Sequence, residues 1–135
     1  MIFLNNSSIQ GISLGQSLID INCLRNLNFN LIKDLAIYCC EFKSETDAYY
    51  FYSSFKNLQK FFIKDENEMV NLAINALNEN VYDKLIDFAI FSKYETVDIL
   101  SKFIRKLKNL KNLYLNSDLI VNDYFMFNLS FYKNI

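Results

Sequence analysis

Five short apolar triplets recur along the chain at nearly constant spacing, and this spacing constrains the fold more than any other feature. Large apolar residues occupy the first, fourth and sixth positions of each six-residue window. The triplets are Ile9, Ile12 and Leu14; Ile32, Leu35 and Ile37; Leu58, Phe61 and Ile63; Leu85, Phe88 and Ile90; and Leu110, Leu113 and Leu115. Their middle residues advance by 23, 26, 27 and 25 positions. A period of this length is typical of one strand plus one helix per repeat.

The segments between the triplets have the apolar periodicity of helices, in which apolar residues recur every three or four positions. One stripe follows the third triplet and another follows the fourth: Met69, Leu72, Ala73, Ala76 and Leu77, then Val97, Leu100, Phe103, Ile104 and Leu107. After the second triplet, Ser44 and Asp47 predict a capping box at the start of a shorter helix. The linker around residues 21–31 is the least regular of the four.

We therefore expect one domain over residues 1–135, with repeats near residues 9–19, 32–42, 58–68, 85–95 and 110–120. An open repeat array needs a cap over its last apolar edge. Residues 121–135 alternate partly like a strand and are the candidate C-terminal cap.

The extended pattern around each triplet resembles that of leucine-rich repeats, L-x-x-L-x-L-x-x-N/C-x-L. The second copy is the most similar, with Ile32, Leu35, Ile37, Cys40 and Phe42 at all five motif positions. Copies one and five carry Ser17 and Asp118 at the Asn/Cys position, and copies three and four carry Glu66 and Lys93 there. In the family, that Asn or Cys satisfies backbone groups inside the turn. Because Glu or Lys cannot be buried there unpaired, we expect those two turns to be more open.

The resemblance implies an α/β solenoid in which short parallel strands form a curved sheet and helices cover its other side. An all-α helical repeat or bundle remains as the alternative fold, and a non-repeat α+β domain as a third. The resemblance further implies that side chains alternating with the triplet residues point out to a concave surface.

That surface is the predicted partner-binding site, formed by Tyr38, Phe62, Lys64, Phe91 and Tyr114. Small residues and Asn116 fill the other outward positions, and the expected rim is Asp34, Lys60, Lys64, Asp87 and Lys111. Exposed aromatic side chains with a mixed-charge rim are typical of a surface that binds another protein. Since aromatic residues make up 16% of the chain, the competing interpretation is chance scatter of aromatics.

The composition argues against catalysis and against nucleic acid as the partner. The chain has no histidine, which removes the commonest general base and metal ligand. The net charge of -1 lacks the basic excess of nucleic-acid binders. We therefore expect a non-catalytic protein–protein interaction module with no cofactor and no metal. The alternatives are a small helical structural or regulatory domain that acts by self-association, and an enzyme that uses carboxylates and tyrosine.

Two smaller groups of residues have side chains that could take part in chemistry. Asp65, Glu66 and Glu68, with Asp87 expected nearby, form an acidic cluster that suits acid–base work or a hard cation, but equally a solvated helix start. Cys39 and Cys40 lack the C-x-x-C spacing of metal sites, and we expect them to serve in packing and as a surface thiol.

The sequence also carries expectations about location. The odd cysteine count, the lack of a long apolar run and the N-terminal residues predict a cytoplasmic protein with no membrane span and no secretory signal. The abundance of Asn, Lys, Ile, Phe and Tyr is typical of an AT-rich genome.

Overall fold

The structure, a computed structural model, describes residues 9–65, 69–92 and 97–115, and in them strands alternate with helices along the chain. The strands are β1 (Gly11–Gly15), β2 (Leu18–Ile19), β3 (Asp34–Tyr38), β4 (Glu41–Phe42), β5 (Lys60–Asp65), β6 (Asp87–Ser92) and β7 (Asn112–Leu115). The helices are α1 (Glu45–Ser53), α2 (Met69–Ala76) and α3 (Val97–Arg105). Short 3₁₀ helices at Ile21–Leu24, Phe29–Leu31 and Glu79–Val81 complete the linkers.

Five of the strands form one parallel sheet in the order β1-β3-β5-β6-β7, and β2 pairs with β4 in a smaller parallel sheet. The middle residues of the triplets lie side by side across the large sheet: Ile12, Leu35, Phe61, Phe88 and Leu113. The predicted α/β class and the predicted alignment of the triplets are therefore confirmed. The all-α alternative fold is wrong, whereas self-association stays an untested alternative function.

A repeated backbone hydrogen bond joins successive strands at their amino ends. The carbonyl oxygens of Gln10, Lys33, Gln59 and Ile86 each accept two amide N–H groups from the segment that starts the next strand. The donor–acceptor distances are 2.7 and 3.2 Å at Gln10, and 2.8 and 3.1 Å at Ile86. Because the same contact recurs four times, the strands start at equivalent points and the register cannot slip by one residue without breaking it.

Side chains add a second repeated contact that the sequence did not predict. Asn57 Nδ2 donates to the carbonyl of Asn30 at 2.7 Å, and Asn109 Nδ2 donates to that of Asp83 at 2.6 Å. Lys84 Nζ occupies the equivalent place and donates to the carbonyl of Lys56 at 3.2 Å. Each donor precedes the first residue of its triplet, so this position links neighbouring units even where the residue type changes.

The triplet residues face a continuous core that lies between the sheet and the helices. Leu35, Phe61 and Phe88 are each at most 2% exposed. The helices pack side by side in chain order, α1 on α2 and α2 on α3. Their aromatic rings reach the sheet, because Tyr52 lies 6.3 Å from Phe61 and Phe103 lies 5.3 Å from Phe88 between ring centroids. The helices therefore cover the inward face of the sheet.

The helix ends follow the expected physics where the structure describes them. Ser44 is the N-cap of α1, and its Oγ accepts the amide of Asp47 at 3.1 Å, as the capping box predicts for that side chain. In α3, Asp98 lies in the first turn and Lys102 and Arg105 lie in the last, which is the favourable arrangement for the helix dipole.

The turns after the strands fall into two kinds. After β1 and β3 the chain bends at once, with left-handed backbone at Gln16 (φ 48°) and Cys39 (φ 50°). At the equivalent places β5 and β6 run one residue further, to Asp65 and Ser92, both of which are buried. The two longer strands are those of copies three and four, whose motifs carry charged residues, Glu66 and Lys93, at the Asn/Cys position. Glu66 and Lys93 themselves lie outside the described residues.

Two details of the sequence interpretation need correction. Asp87 lies at the start of β6 beside Lys60, whereas Asp65 lies at the far end of β5 beside Ser92, so Asp87 does not join the acidic cluster. Lys111 precedes β7, and Asn112 takes the place beside Asp87 that the rim prediction gave to Lys111. Asn116, Glu68, Asp118 and the candidate cap at residues 121–135 lie outside the described residues.

Among residues 9–65, 69–92 and 97–115, the structure contains no helix with both the length and the apolar character that crossing a membrane requires.

Neighbouring phenylalanines on β5 provide a matched test of which face of the sheet is the core. Phe61 is 1% exposed and points inward, whereas Phe62 is only half-buried on the opposite face. We expect Phe61→Ala to lower the free energy of unfolding by about 3–5 kcal/mol, since it leaves a cavity in a packed core. Phe62→Ala should cost about 1 kcal/mol or less. Urea unfolding measures both losses, and equal losses would contradict the assigned faces.

Tyr52 provides a second test, because its hydroxyl is buried and makes no hydrogen bond among the described residues. Burial, more than the nearby Cys40 and Asp65, raises the pKa of Tyr52 above its usual value of 10.0. Tyr52→Phe should therefore stabilise the fold by about 1 kcal/mol at neutral pH.

The free energies of unfolding of the wild type and of Tyr52→Phe should depend differently on pH. In the unfolded chain Tyr52 ionises as the pH rises above 10.0, while in the folded chain it stays neutral. The wild type should thus lose stability above that pH, and Tyr52→Phe should lose less. Urea titrations at neutral pH and at about pH 10.5 give the difference; a variant less stable than wild type at both would show that the hydroxyl has a partner.

Candidate partner-binding surface

The side of the large sheet away from the helices is built from residues that alternate with the core residues. Its members form three rows across the strands, and we call them together the outer strand face. Row one is Gly11, Asp34, Lys60, Asp87 and Asn112; row two is Ser13, Ala36, Phe62, Ala89 and Tyr114; row three is Gly15, Tyr38, Lys64 and Phe91. Because side chains alternate along a strand, burial of the triplets directs all of these residues to the same side.

The structure places the five predicted site residues together on this face. Lys64 Nζ donates to the Tyr38 hydroxyl at 3.1 Å and lies 4.9 Å from the centre of that ring. Phe62 and Phe91 contact each other diagonally, with 5.5 Å between ring centroids. Tyr114 stands apart from these pairs and is 56% exposed. The face thus presents two paired clusters and one isolated aromatic ring.

A groove of about 400 Å³ crosses this face from β1 to β7. Four residues of row one, Gly11, Asp34, Lys60 and Asp87, form one side of the groove. Row two forms its bottom and supplies the two aromatic side chains that project from it. Ser13, Ala36 and Ala89 keep the bottom low, while Phe62 and Tyr114 rise from it. The groove runs perpendicular to the strands, so every strand of the large sheet contributes to its lining.

The two glycines of the chain, Gly11 and Gly15, both lie on this face, on the edge strand β1. Neither has positive φ, and a Cβ atom on either would find only ordinary contacts, the nearest being Asp34 Cβ at 3.5 Å from Gly11. The backbone conformation and packing of β1 therefore do not require glycine at either position. Glycine is also unfavourable within a strand, so its presence at both positions has no structural explanation in the fold itself. Gly11 leaves the backbone of β1 bare at one end of the groove, whereas Gly15 lies in row three and does not line it. Sequence reasoning missed this feature, although the alternation of both glycines with Ile12 and Leu14 was a usable signal.

The charged groups of row one are available to a ligand. Within the described part of the chain, no hydrogen bond or ion pair engages the side chains of Asp34 and Lys60. Asp87 Oδ1 accepts Nδ2 of Asn112 at 2.6 Å. The two ion pairs found among these residues, Lys43 with Asp20 and Lys108 with Asp83, lie off this face.

The groups considered for chemistry lie elsewhere or are buried. No set of three or more His, Cys, Asp or Glu side chains comes together to hold a metal ion in the residues that the structure describes. The thiol of Cys40 donates to the carbonyl of Leu14 at 3.3 Å, and burial raises its pKa. Because a raised pKa disfavours the thiolate, this thiol is a packing group and a poor nucleophile.

Comparison of the chain with models of protein families, with curated proteins and with solved structures finds no significant match in any of the three.

Proposed function

We propose that the chain is a leucine-rich-repeat-like solenoid that binds another protein on its outer strand face and has no catalytic role. The observation that carries the proposal is the aromatic surface of that face. Tyr38 and Tyr114 are 39% and 56% exposed, although every inward residue of β3, β5 and β6 is buried. Aromatic side chains beside a groove and charged neighbours are the usual anchors of protein interfaces.

The repeat assignment is supported by Cys40, which occupies the Asn/Cys position of the second copy. Its Sγ reaches a backbone carbonyl of the preceding strand, which is the role that the family resemblance implies for this position. The four equivalent shared carbonyls and the donors at Asn57, Lys84 and Asn109 support the same reading of successive, similar units.

The mechanism is passive recognition. The outward residues sit on strands whose register is set by the core, so they require little ordering when a partner binds, and less binding free energy is lost. A cytoplasmic location belongs to the proposal; it is supported by Cys23, Cys39 and Cys40, none of which forms a disulfide.

A matched pair of double variants tests the proposed face. Tyr38→Ser with Phe91→Ser removes two aromatic anchors from the outer strand face. Tyr49→Ser with Tyr50→Ser removes two aromatics of similar size from α1, where they are 54% and 55% exposed. We expect the first pair to reduce recovery of bound protein from an extract of the host cell by about tenfold or more. The α1 pair should leave recovery unchanged.

Circular dichroism of each variant controls for folding, and an unfolded variant is replaced by the milder Tyr38→Leu with Phe91→Leu. Equal recovery by the wild type and a folded face variant would show that the outer strand face is not the binding surface.

A further inference from the structure

The outer strand face repeats one chemical pattern on two strands and a different one on the strand between them. From row one to row three, β3 presents Asp34, Ala36 and Tyr38, and β6 presents Asp87, Ala89 and Phe91. Between them β5 presents Lys60, Phe62 and Lys64. Two similar notches, each with a carboxylate beside an alanine, therefore flank a central column of lysine and phenylalanine.

The spacing of the notches limits what can occupy both. They are two strands apart, which is roughly 9.5 Å at the usual separation of paired strands. In an extended β-strand, residues on one face are about 7 Å or about 13 Å apart, so neither spacing fits. In a polyproline II helix, residues i and i+3 lie on the same face about 9.3 Å apart, which fits.

We propose that the groove binds a polyproline II segment of another protein that carries basic side chains at positions i and i+3. The proposal rests on the proposed function and specifies the partner's chemistry. The two basic groups pair with Asp34 and Asp87, the second of which keeps its bond from Asn112. The bound polyproline II segment runs along the groove and perpendicular to the strands, because Asp34, Lys60 and Asp87 lie in one row in that direction.

The central column explains why the basic side chains must be three residues apart. Lys60 lies between the two carboxylates and repels a positive charge placed above β5. A polyproline II backbone makes no internal hydrogen bonds, so its carbonyl oxygens are open to the Lys60 ammonium group. Phe62 and Tyr114, which project from the bottom of the groove, give proline rings the aromatic contacts that such segments use elsewhere.

The test uses three fluorescein-labelled synthetic peptides and the full chain. The first is Pro-Arg-Pro-Pro-Arg-Pro, with arginines at i and i+3. The second, Pro-Arg-Pro-Arg-Pro-Pro, has the same composition with arginines at i and i+2. The third carries glutamate in place of both arginines of the first. Fluorescence anisotropy at low salt should show saturable binding of the first peptide, at least fivefold weaker binding of the second and none of the third.

Two charge-matched variants locate the contact. Asp34→Asn with Asp87→Asn removes both carboxylates of row one and should weaken binding of the first peptide roughly tenfold. Glu41→Gln with Asp98→Asn removes two exposed carboxylates from β4 and α3 and should leave it unchanged. The loss should shrink as salt is added, because exposed charges are screened.

The inference is overturned if the first peptide does not bind, if the first two peptides bind equally, or if the row-one variant binds like the wild type. If one of these results is obtained while partner recovery still depends on Tyr38 and Phe91, the polyproline proposal is rejected and the proposed function is retained. If recovery of bound protein does not depend on Tyr38 and Phe91, the proposed function itself is rejected.

Discussion

Four backbone carbonyls set the register of the strands in the large sheet, because each accepts two amide groups from the segment that starts the next strand. The contact at Lys33 is representative: its oxygen accepts the amides of Gln59 and Lys60 at 2.7 and 3.0 Å. Each bond contributes little net free energy, but a buried amide left without a partner costs about 1–3 kcal/mol. A shift of register would break several such bonds together and also move the triplet residues from the core to water.

The outer strand face depends on this same constraint. Once Leu35, Phe61 and Phe88 are fixed inward, their chain neighbours must point away from the helices. Tyr38, Lys64 and Phe91 then fall into one row, although 26 or 27 residues separate neighbours in that row along the chain. The core residues and the residues of the proposed binding surface thus lie on opposite faces of the sheet, and residues on the outer face can vary without disturbing the core.

The sequence predicted the sheet because its signal was strong and periodic. Large apolar residues at near-constant spacing bury their side chains most readily by stacking on neighbouring strands. The N-cap at Ser44 could be predicted because capping depends only on residues next to it in the sequence. The outward set followed from alternation alone. Its contacts, such as Lys64 on the Tyr38 ring, could not be predicted, because they depend on side-chain rotamers across strands.

Other features escaped prediction for identifiable reasons. Asn57 and Asn109 were hidden by a composition rich in asparagine, so nothing marked these two as links between units. The longer strands β5 and β6 depend on how the turn is built when a charged residue stands at the Asn/Cys position. They also depend on the burial of Asp65, which a local sequence pattern does not show. Asp87 does not join the acidic cluster because it pairs with Lys60 at the start of β5, whereas Asp65 lies at the other end of that strand.

The alignment of the triplets on parallel strands is tested most directly by nuclear Overhauser contacts between backbone protons of neighbouring strands. The register pairs Leu35 with Phe61, Phe61 with Phe88 and Phe88 with Leu113. Contacts between amide and α protons next to these pairs, in the parallel pattern, are the expected result. Sequential amide–amide contacts of a helix through the triplets, or cross-strand contacts shifted by one residue, would contradict the shared core and the outer strand face with it.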